Sequence, residues 1–146
     1  MMYYISAMTY EFALIISQWK YDNEYSIYSF EQSQETIAEL LNDDYIACTD
    51  ENNNLVGYFC QGKSARMDIG LGMCPVLCGK GMGYNFVLCG IKYFTQQKPG
   101  IPLRLTVACF NERAISLYKK IGFSVERIIT HKISGKPFYV MVKQED

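Results

Sequence analysis

Residues 78–83 read Cys78-Gly79-Lys80-Gly81-Met82-Gly83. They stand between an apolar stretch that reads as a strand, Arg66 to Met73, and a long apolar run that reads as a helix, Gly81 to about Gln97. Glycine lets a backbone approach a ligand closely, and the amides that open a helix point outward with the positive end of its dipole. Such a turn suits a phosphate. The loop has neither the GxxxxGK[ST] of a P-loop nor the full GxGxxG of a dinucleotide site, and a plain turn is the alternative reading. Gly70 and Gly72 inside the preceding strand suggest a bulge or a close backbone approach.

Upstream, Tyr3 to Ala7 reads as a short strand. Thr9 is placed to cap a helix running to about Lys20, with Phe12, Ile15, Ile16 and Trp19 as its buried face. The aromatic segment Tyr21 to Phe30 either packs under a second helix, Gln34 to Leu41, or lines an acceptor pocket. Tyr45 to Thr49 and Leu55 to Gln61 read as a hairpin around Asp50-Glu51-Asn52-Asn53-Asn54.

Downstream, Leu103 to Cys109 reads as a strand, Asn111 to Ile121 as a helix, and Val125 to Ile133 with Phe138 to Lys143 as a closing hairpin. Two early helices, a run of strands, and then alternating strands and helices describe one α/β (α+β) domain over 1–146. Its mixed central sheet of about six to seven strands is flanked by about four helices.

The helix after the last crossover reads Asn111-Glu112-Arg113-Ala114-Ile115-Ser116-Leu117-Tyr118-Lys119-Lys120-Ile121-Gly122-Phe123. Asn111 can cap it, Ala114, Ile115 and Leu117 can face the sheet, and Gly122 stands where a helix stop belongs. Packing does not require the phenol of Tyr118, and a core tyrosine is the plain reading of it. Taken together, the two stretches resemble the GNAT superfamily of N-acetyltransferases. Gly81-Met82-Gly83 looks like the [QR]xxGx[GA] pyrophosphate loop, and Asn111 to Phe123 matches NxxAxxxYxxxGF at every named position. The resemblance is most specific from about Leu71 to Phe123, and the order of elements extends it over nearly the whole chain.

The resemblance implies a transferase, expected from the composition to be cytoplasmic, that moves an acetyl group from acetyl-CoA, by direct attack, to a primary amine of a small molecule or peptide. Backbone amides of Leu71 and Met73 would hydrogen-bond the pantetheine arm. Gly79, Lys80, Gly81, Met82, Gly83 and Tyr84 would cradle the pyrophosphate, Asn111 would contact the same ligand, and Tyr118 would protonate the departing thiolate. Strand amides would polarise the carbonyl. Neither a metal nor a covalent enzyme intermediate is implied, and a homodimer stays open.

Two departures from the family pattern stand out. Cys78 occupies the usual Gln or Arg position. Thr106 and Met67 stand where related enzymes carry a catalytic glutamate. Asp68 is the nearest carboxylate and a candidate base, although strand alternation turns it to the opposite face unless a bulge shifts the register, and a strand-edge carboxylate paired with Arg66 or a lysine is the favoured reading. The missing glutamate keeps open a catalytically weak acyl-CoA-binding module. A nucleotide-binding protein would need an acidic ribose clamp or a P-loop Lys-Ser pair, and the sequence shows neither. Acceptor contacts are expected from the loop between the first two helices, where Asp22 and Glu24 lie among tyrosines, and from the closing hairpin.

Composition narrows the field further. In 146 residues, 14 Lys and Arg face 15 Asp and Glu, a net charge of −1, so nucleic acid is not an expected partner. No apolar run is long enough to cross a membrane and no basic leader opens the chain, which points to a soluble protein. Six cysteines (Cys48, Cys60, Cys74, Cys78, Cys89, Cys109) form no CxxC pair and read as free thiols. With His131 as the sole histidine, His-based metal sites and Ser-His or Cys-His relays have almost nothing to work with, which argues against most hydrolases.

Overall fold

The structure is a computed structural model and describes residues 2–62 and 67–144. In chain order its elements are β1 (Tyr3–Ser6), α1 (Tyr10–Ser17), α2 (Gln34–Leu40), β2 (Tyr45–Asp50), β3 (Leu55–Gln61), β4 (Met67–Met73), α3 (Gly83–Gln97), β5 (Leu103–Ala108), α4 (Glu112–Ile121), β6 (Ser124–Thr130) and β7 (Pro137–Lys143). Short 3-10 turns at Asn23–Tyr28 and Pro75–Leu77 complete the chain. The strands order as β1-β2-β3-β4-β5-β7-β6 in a mixed seven-stranded sheet, in agreement with the α/β reading. Arg66, expected to open the fourth strand, lies outside the described residues. The chain forms two compact units, Met1–Cys60 with Leu71–Tyr93 and Gln61–Gly70 with Phe94–Asp146.

In the first unit local chemistry starts each helix. Thr9 Oγ1 accepts the Phe12 amide at 3.1 Å, and Ser33 Oγ accepts the Thr36 amide at 3.1 Å, each using a side-chain oxygen on a donor with no partner inside its helix. Ala13 and Ile16 of α1 pack on Ile37 and Leu40 of α2, all at most 5% exposed. That arrangement corrects the expected face of α1. Ile15 is 44% exposed, and the buried positions are Ala13, Ile16 and Ser17. The small residues Ala13 and Ser17 turn inward, where Ser17 keeps its hydroxyl satisfied on the Leu14 carbonyl at 2.7 Å. The β2–β3 turn is held by Asp50, whose Oδ1 accepts the amides of Asn52 and Asn54, both at 2.9 Å.

Gly72 shows why its strand carries a glycine there. A Cβ at position 72 would stand 2.6 Å from the Tyr58 hydroxyl oxygen, inside any tolerable contact. The sequence suggests a bulge or a close backbone approach; what approaches Gly72 is a side chain, the ring of Tyr58, which also meets Phe30 and Tyr45 at centroid separations of 5.6 and 6.0 Å.

In the second unit β5 alternates as a half-covered strand should. Leu103, Leu105 and Val107 are buried, while Arg104 is half-buried and Thr106 exposed. It pairs with β7 antiparallel over six residues, Leu103↔Lys143 through Ala108↔Phe138, and parallel with β4 at Met67↔Leu103 and Asp68↔Arg104. Gly122, at φ 125°, ends α4 as expected, its amide reaching the carbonyls of Tyr118 and Lys119 at 3.1 Å.

Candidate active site

Consider first the edge of β4 in the first unit. The Cys74 amide donates to the Val56 carbonyl of β3 at 2.8 Å. Successive amides of an extended strand point to opposite edges, so those of Met73 and Leu71 point away from β3. These are the two amides that the sequence reading assigns to a bound pantetheine arm.

The chain then turns through Pro75–Leu77 and reaches α3 by way of Gly79 and Gly81, at φ 75° and 76°. A Cβ at Gly81 would meet no atom within 4 Å, so the turn is open on that side. The helix begins with Phe86 N–H on Met82 O at 3.3 Å, which makes Met82 the cap. Methionine has no side-chain oxygen for the first-turn amides. Among the described residues nothing accepts a hydrogen bond from the amides of Gly81, Met82 or Gly83. Three unpartnered donors at the positive end of a 15-residue helix, with no acidic residue in its first turn, fit an anionic ligand such as a pyrophosphate. Lys80 and Tyr84 are exposed beside them.

Cys78 shows what replaced the usual long polar side chain. Its thiol turns back onto the carbonyls of Cys74 and Met73, at 3.5 and 3.7 Å, and contributes to the shape of the turn. Cys74 and Cys78 are free thiols. Among the described residues no group of three His, Cys, Asp or Glu side chains is placed to hold a metal. Nor is any helix there long and apolar enough to cross a membrane.

The second unit supplies α4. Asn111 Oδ1 accepts the Ala114 amide at 3.3 Å, and Asn111 O accepts from Ile115 at 3.0 Å, so this residue caps the helix as its type suggests. Tyr118 is 7% exposed and stands edge-on to Phe123 at 5.9 Å. The buried face is Ile115 and Tyr118, with Ala114 and Leu117 half-buried, one step around from the face expected. Of the two positions where related enzymes carry a glutamate, Met67 is 3% exposed and Thr106 faces solvent.

Asp68 meets a partner that the sequence reading did not name. Its carboxylate takes both a short hydrogen bond from Arg104 Nε and one from Arg104 Nη2 at 2.8 Å, a two-point pair between neighbouring strands. The Arg66 pairing weighed from sequence lies outside the described residues. Work as a base would require this pair to open. His131 is tied into its own hairpin turn, where Nδ1 accepts the Ser134 amide at 3.2 Å and the ring stacks on Phe138 at 4.5 Å.

The sequence reading missed one further contact. Tyr21 O–H donates to the Met73 carbonyl at 2.7 Å, tying the segment after α1 to the end of β4. The aromatic run from Tyr21 to Phe30 was the only signal for it.

No protein-family model matches the sequence, and no curated protein matches it. Solved structures do match in fold. A chimera of the Vibrio cholerae spermidine N-acetyltransferase SpeG and hSSAT covers 99% of this chain and 96% of its own at 18% identity and TM-score 0.75. A GNAT-family acetyltransferase from Bacillus anthracis covers 99% and 95% at 16% identity and TM-score 0.79. A manganese complex of the Vibrio cholerae spermidine/spermine N-acetyltransferase SpeG covers 98% and 92% at 17% identity and TM-score 0.72. The fold is that of the GNAT acetyltransferases, as the two sequence motifs implied.

Proposed function

We propose that this chain is an acetyl-CoA-dependent N-acetyltransferase acting on a primary amine of a small molecule or peptide. The observation that carries the reading is the set of unpartnered amides at Gly81, Met82 and Gly83, which opens α3 directly after β4 in a GNAT fold. Acetyl-CoA, when bound, supplies an acetyl group already activated as a thioester. The amides of Leu71 and Met73 hold the pantetheine arm as an added strand would be held, and Met73 N–H also polarises the thioester carbonyl. The turn from Gly79 to Gly83, with Lys80 and Tyr84, holds the pyrophosphate. Asn111, whose side chain is engaged as a helix cap, contributes by shaping the start of α4. Tyr118 donates its phenolic proton to the departing thiolate. The acceptor amine arrives deprotonated or releases its proton to water, since Asp68 is held by Arg104.

The test is thiol release from acetyl-CoA with a panel of amines: polyamines first, then amino acids, aminoglycosides and peptides. Acceptor-dependent release of one CoA per acetylated amine is expected. Calorimetric binding of acetyl-CoA without release on any amine would support the weak acyl-CoA-binding module, for which the absent glutamate and the paired Asp68 argue. Absence of acetyl-CoA binding would overturn both readings. In this reading the protein acts in the cytoplasm.

A further inference from the structure

The Met73–Cys74 peptide is fixed at both of its polar ends. Cys74 N–H is bound to the Val56 carbonyl at 2.8 Å, and the Met73 carbonyl takes the Tyr21 hydroxyl at 2.7 Å as its short, strong donor, with the Cys78 thiol farther off at 3.7 Å. Tyr21 is itself anchored, because its backbone N–H donates to Ser29 Oγ at 3.0 Å, which closes the loop around the 3-10 turn Asn23–Tyr28. A trans peptide directs its C=O and N–H in opposite directions. The Met73 carbonyl therefore leaves β4 on the side away from β3, the same side as the Met73 N–H. At that one residue the open edge of the strand presents a donor and an acceptor together.

For a site that must stabilise negative charge on a carbonyl oxygen, these two groups work against each other. The N–H attracts the developing charge, whereas the lone pairs of an uncovered C=O repel it and compete for any N–H of the incoming amine. A hydroxyl that donates to the Met73 carbonyl covers those lone pairs. Burial pushes the Tyr21 phenol well above its ordinary range, followed by smaller contributions from Cys78 and Cys74, so the hydroxyl keeps its proton at any pH at which an enzyme would work. It acts as a donor throughout.

We infer that Tyr21 is a positioning residue. By covering the Met73 carbonyl and fixing its peptide plane, it leaves the Met73 N–H as the group presented to the acyl carbonyl of the bound thioester. This inference rests on the proposed use of Met73 in the transferase reading. It predicts discrimination between two ligands that differ only at the acyl group. Acetyl-CoA has the carbonyl that Met73 N–H would meet, and CoA does not.

Calorimetric titration of the full chain with acetyl-CoA and with CoA reads this directly. Tyr21→Phe should weaken acetyl-CoA about threefold to tenfold, the range of one hydrogen bond, and weaken CoA, which meets the Met73 amide through the pantetheine arm alone, by clearly less. Replacement by 4-aminophenylalanine, which restores a donor at the same place, should recover the acetyl-CoA affinity. If Tyr21→Phe does not fold, 4-fluorophenylalanine fills the volume of the hydroxyl without a proton to donate and makes the same comparison. A loss shared equally by the two ligands means that Tyr21 merely supports the loop, and it overturns the inference. Unchanged affinity for both also overturns it, while the transferase reading stands. Failure of the unmodified chain to bind either ligand brings down the transferase reading and this inference with it.

Discussion

Two strand-to-helix corners, β4 into α3 and β5 into α4, begin their helices by opposite means. At the second, Asn111 bends its own side chain over the first turn and occupies the Ala114 amide. At the first, Met82 holds the cap position with nothing to offer, and Gly79 and Gly81 carry the chain through a left-handed path that leaves its amides pointing outward. A capped corner is complete in itself and adds stability. An uncapped one leaves its donors available, and in the reading proposed above they contribute binding energy to an anion. That reading of the contrast can be tested from several sides.

The largest effect should come from Gly81→Glu set against Gly100→Glu. Both glycines have positive φ, 76° and 86°, and both have open space where a Cβ would go, so the two variants share the backbone strain of about 1–2 kcal/mol. Only the first places a carboxylate on the turn. Like charges about 4 Å apart near a protein surface repel by roughly 4 kcal/mol, close to a thousandfold in affinity. Calorimetry should show acetyl-CoA binding lost in Gly81→Glu and retained in Gly100→Glu. Equal affinities would remove the ligand from this corner.

Next in size is Tyr118→Phe, on the helix that the capped corner starts. The ring and its edge contact with Phe123 remain, so acetyl-CoA affinity should hold while turnover on an identified amine falls about 10²-fold or more. Full turnover in this variant, with chemistry limiting the rate, would reduce the phenol to a core contact.

Exchanging the two caps gives the smallest effects and addresses the comparison most directly. Asn111→Ala should cost about 1 kcal/mol, a fall in Tm of roughly 3–4 °C. Met82→Asn should do the reverse at the other corner, raising Tm by up to a similar amount. The new side chain would accept from the Asn85 amide, three residues on as Asn111 accepts from Ala114, and would set its oxygen at the helix end proposed to hold the pyrophosphate, so acetyl-CoA affinity should drop severalfold. A gain in Tm with unchanged affinity would show that the anion does not sit at this helix end.

The same contrast explains what could be read from the chain and what could not. Asn111, Gly122, Thr9 and the Asp50 turn were legible because each acts within four residues of itself, where residue type and spacing determine the geometry. The glycine turn was legible as a departure from helix and strand habits, and the GNAT fold followed from the two stretches together. The contacts that cross the sequence were not. Arg104 lies 36 residues from Asp68, and Met73 lies 52 from Tyr21, and no local rule selects those partners among several arginines and a dozen tyrosines. The buried face of α1 was misread for a related reason. Ile15 is the more apolar residue, but the close contact with α2 favours small side chains, so Ala13 and Ser17 turn inward.

Gly72 and Tyr58 leave a mark on how this chain can drift over generations. Any side chain at 72 enters space that the tyrosine ring already holds, whereas a smaller residue at 58 would leave that space vacant. Neither position can be altered freely while the other stays the same. Across diverging descendants the two should change as a linked pair, with tyrosine at 58 accompanying glycine at 72 and a side chain at 72 appearing only after the ring has gone. A descendant that kept both the ring and a side chain at 72 would need the ring or the strand to move.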